Sequence, residues 1–440
     1  MTNIRKITPL FSIFILSLFL FSCAGNIAYR DIALPYSSAN LAECNEFGGA
    51  LEQIKENDSD YYLGFVEVDD QGVFFNRDQF KNLTCELTSH AESSGILISV
   101  FVHGWHHNAK PGDENIENFK KSLITLSQLE HSFAHEKGIL PRKTIGVYIG
   151  WRGESIDWDL LSNITFWERK KTAEEIARRS VLEALLRLEK IRNIQPSNHQ
   201  ANRLFVVGHS FGADVVYNAL SPIMLERLIR NKNKNCNNAT IKGFGDFVFL
   251  INPAFESLQY INFSSLLSEK HAYCNDQFPI FAILTSQQDK ATKYAFPFGR
   301  KVSTLFETYR DIEITNNKSE QIIFGQRKLD TTAIGHEELF FTHILEKNKT
   351  ALPLSNKLTV DECNVVRDFR NGWVSKNKEY ALNDVVLKNT NQYDPKTPYL
   401  VIKVDEQIIP DHNDIYAKQV LNFMRRLVVI STNEEVCSDP

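Results

Sequence analysis

The sequence predicts an α/β fold, a doubly wound and mostly parallel sheet, on three observations. Unbroken apolar runs recur at Ile96–Val102, Ile145–Ile149, Leu204–Val207, Phe247–Ile251, Ile280–Leu284 and Tyr399–Val404. A strand that is apolar without alternation is covered on both faces, as in a parallel sheet with helices on either side. Helical patterns lie between several runs, clearest in Ala173, Ile176, Ala177, Val181, Ala184, Leu185, Leu188 and Ile191. Third, Arg203–Val207 leads straight into Gly208-His209-Ser210-Phe211-Gly212, a Gly-x-Ser-x-Gly pentapeptide followed by helically spaced Ala213, Val216, Tyr217, Leu220 and Ile223, a spacing that Pro222 is expected to disturb.

The chain opens with Arg5 and Lys6 ahead of an almost unbroken apolar stretch, Leu10 to Phe21. That is too short for a comfortable membrane span and suits the core of a secretory signal, so residues 1–22 are expected to be cleaved. Leu20-Phe21-Ser22-Cys23 resembles a bacterial lipobox. The resemblance implies lipidation of Cys23 and export to the bacterial cell envelope, with the protein anchored to a membrane by acyl chains. Residues 23–60 read as a tether and N-terminal segment before a domain spanning 61–440. Tyr62–Val68 and Val73–Phe75, separated by Asp69-Asp70-Gln71-Gly72, read as an opening hairpin.

Six cysteines remain after Cys23, an even set in a compartment that permits disulfides. Sequential pairing is expected, Cys44 with Cys85, Cys236 with Cys274 and Cys363 with Cys437, because each pair closes a local loop. No Cys-x-x-Cys occurs, which argues against a zinc ribbon or a thioredoxin-like redox site. From Leu284 to Tyr399 the alternation of runs gives way to a polar, irregular stretch, so about 290–397 is expected to be an insertion before the last strand. A net charge of −5 over 440 residues, with 23% charged, offers no electrostatic reason to expect nucleic acid.

Ser210 is the candidate nucleophile. A serine on a tight turn between a buried strand and a helix is lifted clear of its neighbours, and the flanking glycines let the backbone turn without clashes. A second motif supports it: the run Ile96–Val102 ends in His103-Gly104-Trp105-His106-His107. These histidines, with His131 and His135 downstream, are better explained as loop support and exposed helix surface than as metal ligands, so no metal or organic cofactor is expected.

With both motifs in place, the chain from about Leu63 to Val429 resembles the α/β-hydrolase fold, in its esterase and lipase branch. The resemblance implies an oxyanion hole built from the backbone N–H groups of Phe211 and Trp105. It also implies the chain order nucleophile, acid, histidine. The acid belongs after the strand Phe278–Ser286, which selects Asp289, with Glu256 after the preceding strand as its rival. The histidine belongs between the last strand and the final helix, which selects His412; His336, beside Gly335, and His343, expected further along a helix, are the alternatives. The function implied is cleavage of a small-molecule or lipid ester through an acyl-enzyme. A non-catalytic binding lipoprotein on the same scaffold, or an amide or thioester hydrolase, are the other readings.

Overall fold

Each of the six apolar runs forms a strand, because a stretch with no polar face is stable only where both faces are covered. The computed structural model describes residues 25–432 apart from 31–43, 45–47, 57–58, 154–158, 198–199, 232–239, 270–272, 316–320, 350–359, 392–393 and 395. In chain order the strands are β1 (Leu51–Glu56), β2 (Ser59–Glu67), β3 (Ile96–Val102), β4 (Lys143–Gly150), β5 (Arg203–His209), β6 (Phe247–Ile251) and β7 (Phe281–Ser286), followed by β8 (Asp311–Thr315) and β9 (Gln321–Gly325), which pair only with each other. Then come β10 (His343–Lys347), β11 (Glu379–Leu382), β12 (Val385–Asn389) and β13 (Tyr399–Val404). The main sheet has eleven strands in the order β1-β2-β4-β3-β5-β6-β7-β13-β10-β12-β11. From β2 to β10 every neighbouring pair is parallel; β1 against β2, and β12 against β10 and β11, are antiparallel.

Helices cover both faces. On one side lie α1 (Arg77–Ser93), through Phe80, Leu83 and Leu87, and, later in the chain, helices described below. On the other lies α2 (Glu114–Lys137), through Ile116, Phe119 and Leu123. α2 is capped by Asp113, whose side chain accepts from the Asn115 amide at 2.9 Å, and ends at left-handed Gly138. α3 (Asp159–Ile176) continues through an irregular turn into α4 (Leu182–Arg192), and α5 (Phe211–Arg230) follows β5. α4, α5 and α6 (Ile261–Glu269) join α1 on its face. The chain then adds α7 (Phe296–Ser303), α8 (Gln326–Asp330), α9 (Val360–Val374) and α10 (Lys418–Ser431), of which α9 and α10 cover the same face of the sheet as α2. Strand residues divide accordingly: Ile98, Val100 and Val102 of β3 face one layer, Leu97 and Phe101 the other.

Several expectations need correction. The opening hairpin is reduced to a single bridge between Val68 and Phe74, and the main antiparallel partner of β2 is β1, which precedes it. β1 lies inside the stretch read as tether and N-terminal segment, and Tyr29 and Arg30 also reach the domain, both donating backbone N–H groups to Glu67. The region read as an insertion supplies β10, β11 and β12, so the sheet continues past β13. β10 and β12 alternate buried with partly exposed residues, the pattern of half-covered strands, and a search for unbroken runs passes over them. His343 stands on β10 and not on a helix. α5 runs on through Pro222, an exposed position.

Cys44 and Cys85 form a disulfide that ties the chain ahead of β1 to α1. Cys274 is also disulfide-bonded; Cys23, Cys236, Cys437 and the Cys363 side chain lie outside the described residues. No helix among the described residues is long and apolar enough to cross a membrane. The Cys44–Cys85 loop constrains the unfolded chain, so replacing both cysteines by alanine should lower stability by about 2–4 kcal/mol. Urea unfolding checks this, and an unchanged midpoint in the double variant counts against it.

Candidate active site

The strand order places the site. β3 and β5 are neighbours, but after β3 the chain returns to β4 through α2 on one face, and after β5 it continues to β6 through α5 on the other. Loops that diverge in this way leave a crevice at the carboxyl ends of the two strands. The pentapeptide sits there. Ser210 adopts φ 55° and ψ −119°, a conformation that costs a non-glycine residue about 1–3 kcal/mol. It is held by hydrogen bonds on both sides: its N–H donates to Ile251 O at 3.1 Å, and its carbonyl accepts from Ala213 and Ala254.

The crevice is narrow because its walls carry glycine. A Cβ on Gly212 would lie 2.0 Å from Val102 O and 2.5 Å from His103 O, so only glycine lets the first turn of α5 approach the end of β3. Gly104, in the facing loop, would likewise bring a Cβ within 2.8 Å of Ser210 Cβ. His103 stiffens that loop. Its Nδ1 donates to Gly104 O at 2.9 Å, its Nε2 accepts from the Trp151 amide at 3.0 Å, and Trp151 Nε1 donates to His103 O. Burial lowers the ring to about pKa 4, so it stays neutral in this tautomer. His107 pairs with Asp113, the cap of α2, at 3.1 Å, and His131 and His135 are exposed on α2.

The structure brings together Ser210, His412 and Asp289. His412 Nε2 lies 2.9 Å from Ser210 Oγ, and its Nδ1 lies 2.8 Å from Asp289 Oδ1. Asp289 is fully buried just beyond β7, where its oxygens also accept from the Thr292 amide at 3.1 Å and from the Thr292 hydroxyl. Burial pushes its carboxyl up, but the hydrogen bond and charge of His412 and the two Thr292 donors outweigh that and hold it below the usual carboxylate value. An ionised carboxylate at Nδ1 keeps the proton there, leaving Nε2 free to accept from the serine hydroxyl.

Two residues the sequence did not single out for the site aim the imidazole. The His412 carbonyl accepts from the Nε2–H of His209 at 2.9 Å and from Asn252 Nδ2 at 2.8 Å. Asn252, at φ 46°, follows β6 directly, and its Oδ1 accepts from the Ser286 amide at the end of β7. His209 is buried and kept neutral by burial, and so acts as a fixed donor. Position at the carboxyl end of a strand is the signal that could have picked out Asn252, and Thr292 beside Asp289.

The alternatives are occupied elsewhere. His336 Nε2 meets Thr292 Oγ1 at 2.8 Å, one group removed from Asp289, and burial lowers its ring to about pKa 4. Gly335 beside it serves close packing against Thr285. His343 is buried among Thr342, Asn389 and Trp373. Glu256 pairs with Lys170 at 3.0 Å and Arg300 at 3.2 Å. Lys170 lies between Glu256, Glu174 and Asp214; burial would lower it, but these carboxylates raise it above the ordinary lysine value. Glu256 thus belongs to a buried charge network behind α5 and not to the serine.

Phe211 opens α5, so its N–H is among the first-turn amides without an intrahelical acceptor, at the positive end of the helix dipole beside Ser210. Trp105 packs edge-on to Phe166 at 5.2 Å, and Phe166 meets Phe211 at 4.7 Å, so aromatic side chains wall one side of the crevice. A cavity of about 160 Å³ lies between α2, α10 and the sheet, lined by Phe101, Phe119, Phe205, Phe249 and Met424; none of Ser210, Asp289 or His412 lines it. The chain matches no protein-family model, no curated protein and no solved structure.

Lys170→Met would leave Asp214 buried without its cation and Glu256 with Arg300 alone, and is expected to cost about 3–5 kcal/mol in chemical denaturation, far more than an exposed lysine. Asp289 has a depressed native pKa, so the stability it contributes is complete above the ordinary carboxylate range and is lost as pH falls through the native value. Asp289→Asn should therefore lose less stability than the wild type on acidification below about pH 5. Parallel melting curves over that range check the sign.

Proposed function

We propose that this chain is a serine hydrolase of the α/β-hydrolase fold that cleaves carboxylic esters through an acyl-enzyme. One observation carries the reading: the unbroken line of close polar contacts from Ser210 Oγ to His412 Nε2 at 2.9 Å and from His412 Nδ1 to Asp289 Oδ1 at 2.8 Å. A binding protein on the same scaffold has no need of an imidazole within hydrogen-bond reach of that hydroxyl.

In this reading His412 Nε2 takes the Ser210 proton as Oγ attacks the ester carbonyl, and the carbonyl oxygen becomes an oxyanion. Asp289 stabilises the imidazolium and fixes the ring orientation. The Phe211 and Trp105 amides receive the oxyanion, aided by the dipole of α5. Collapse expels the alcohol with the proton from His412, and water activated by the same ring then releases the acid and frees Ser210. The proposed setting is the cell envelope, with Cys23 as the lipidated residue.

A fluorophosphonate probe is expected to label the wild type at Ser210 and to leave Ser210→Ala unlabelled. Hydrolysis of short and long p-nitrophenyl esters should fall by about 10⁴-fold or more in Ser210→Ala and in His412→Ala. Equal activity in wild type and Ser210→Ala overturns the assignment.

A further inference from the structure

We propose that the outer face of α7 and the turn after it form a docking surface for an anionic lipid layer, set beside the Ser210 crevice. Tyr294, Phe298 and Val302 recur every fourth residue and are 62%, 73% and 54% exposed; Leu305 and Phe306 follow at 62% and 99%. No other segment of this length among the described residues exposes so many large apolar side chains. A contiguous exposed patch of this kind marks a surface that something covers.

The inner face of the same segment is already satisfied. Phe296 is buried against Trp167 at 5.6 Å, and Gly299 sits against the Trp167 indole. Arg300 pairs with Glu256 at 3.2 Å and Asp330 at 2.9 Å. Thr292, one turn earlier, holds Asp289. The helix is thus pinned with its apolar side outward, on a segment rigidly joined to the acid of the candidate site.

Charge selects the occupant. With Arg300 committed inward, Lys290, Lys293 and Lys301 remain between residues 290 and 306, where there is no Asp or Glu, although the whole chain carries −5. Asp289, on one flank, is buried, and Glu307 is the first acid on the other. Aromatic and aliphatic side chains set among lysines on a short surface helix fit the boundary between headgroups and acyl chains, where anionic lipids attract the cations. Docking there brings the carboxyl-end rim of the sheet to the lipid. It does not depend on Ser210 being reactive.

Hydrogen exchange of the full chain tests this with a local readout, because the apolar stretch Leu10–Phe21 gives the chain another route onto vesicles. Exchange in residues 294–306 is expected to slow with phosphatidylcholine vesicles containing phosphatidylglycerol, less so with phosphatidylcholine alone, and the slowing should weaken with added salt. Phe298→Glu/Phe306→Glu should abolish it, and Lys293→Glu/Lys301→Glu should weaken vesicle affinity at this site by about tenfold or more. An unaltered exchange map elsewhere reports that both variants fold. Ser210→Ala should keep the full effect, which separates this surface from the hydrolytic assignment. No slowing in residues 294–306, equal slowing with both kinds of vesicle, or slowing that follows protein concentration without lipid and so reports a second copy, each overturns the proposal.

Discussion

The site depends on the parallel pairing of β3 with β5, two adjacent strands whose following helices leave toward opposite faces of the sheet. That divergence opens a crevice at their carboxyl ends, and the backbone contact of Gly212 with Val102 and His103 sets its width. With α5 seated so closely, Ser210 takes a positive φ at the turn between β5 and α5. The strain is maintained by hydrogen bonds to β6 and the loop beyond it, so the serine's position is a property of the sheet and not of the pentapeptide alone.

Two groups of buried charge share this end of the molecule and are kept distinct by their partners. Asp289 is satisfied by His412 and Thr292, all neutral or titratable donors, so its negative charge is available to the imidazole. Glu256 and Asp214, on the other side of α5, are committed to Lys170 and Arg300. A carboxylate paired with a permanent cation has little field left to stabilise an imidazolium. The division explains why one of two acids in equivalent positions after consecutive strands faces the histidine.

Much of this was legible along the chain. The six apolar runs became the central strands because burial on both faces forces a composition that needs no knowledge of neighbours. Ser210 could be named because an apolar strand, a Gly-x-Ser-x-Gly turn and a helical pattern follow one another within one short stretch of chain. β10 to β12 were missed because half-covered strands carry polar residues on one face and look irregular in a search for continuous runs. His412 and Asp289 rested on resemblance to a fold and on chain order, with His336 beside a glycine, His343 read on a helix further along, and Glu256 after a strand as open competitors.

What the sequence determined by itself is therefore what short-range chemistry can encode: the buried strands, the covering helices and the serine's turn. What only the tertiary structure decided is which imidazole and which carboxylate meet that serine. His412 is 202 residues from Ser210 in the chain, and its ring is aimed by His209 and Asn252, whose donors converge on its carbonyl only after β5, β6 and β7 are paired side by side. Residue type supplies the candidates, but hydrogen-bond geometry at about 3 Å depends on the packing of the whole sheet, and no local pattern carries that information.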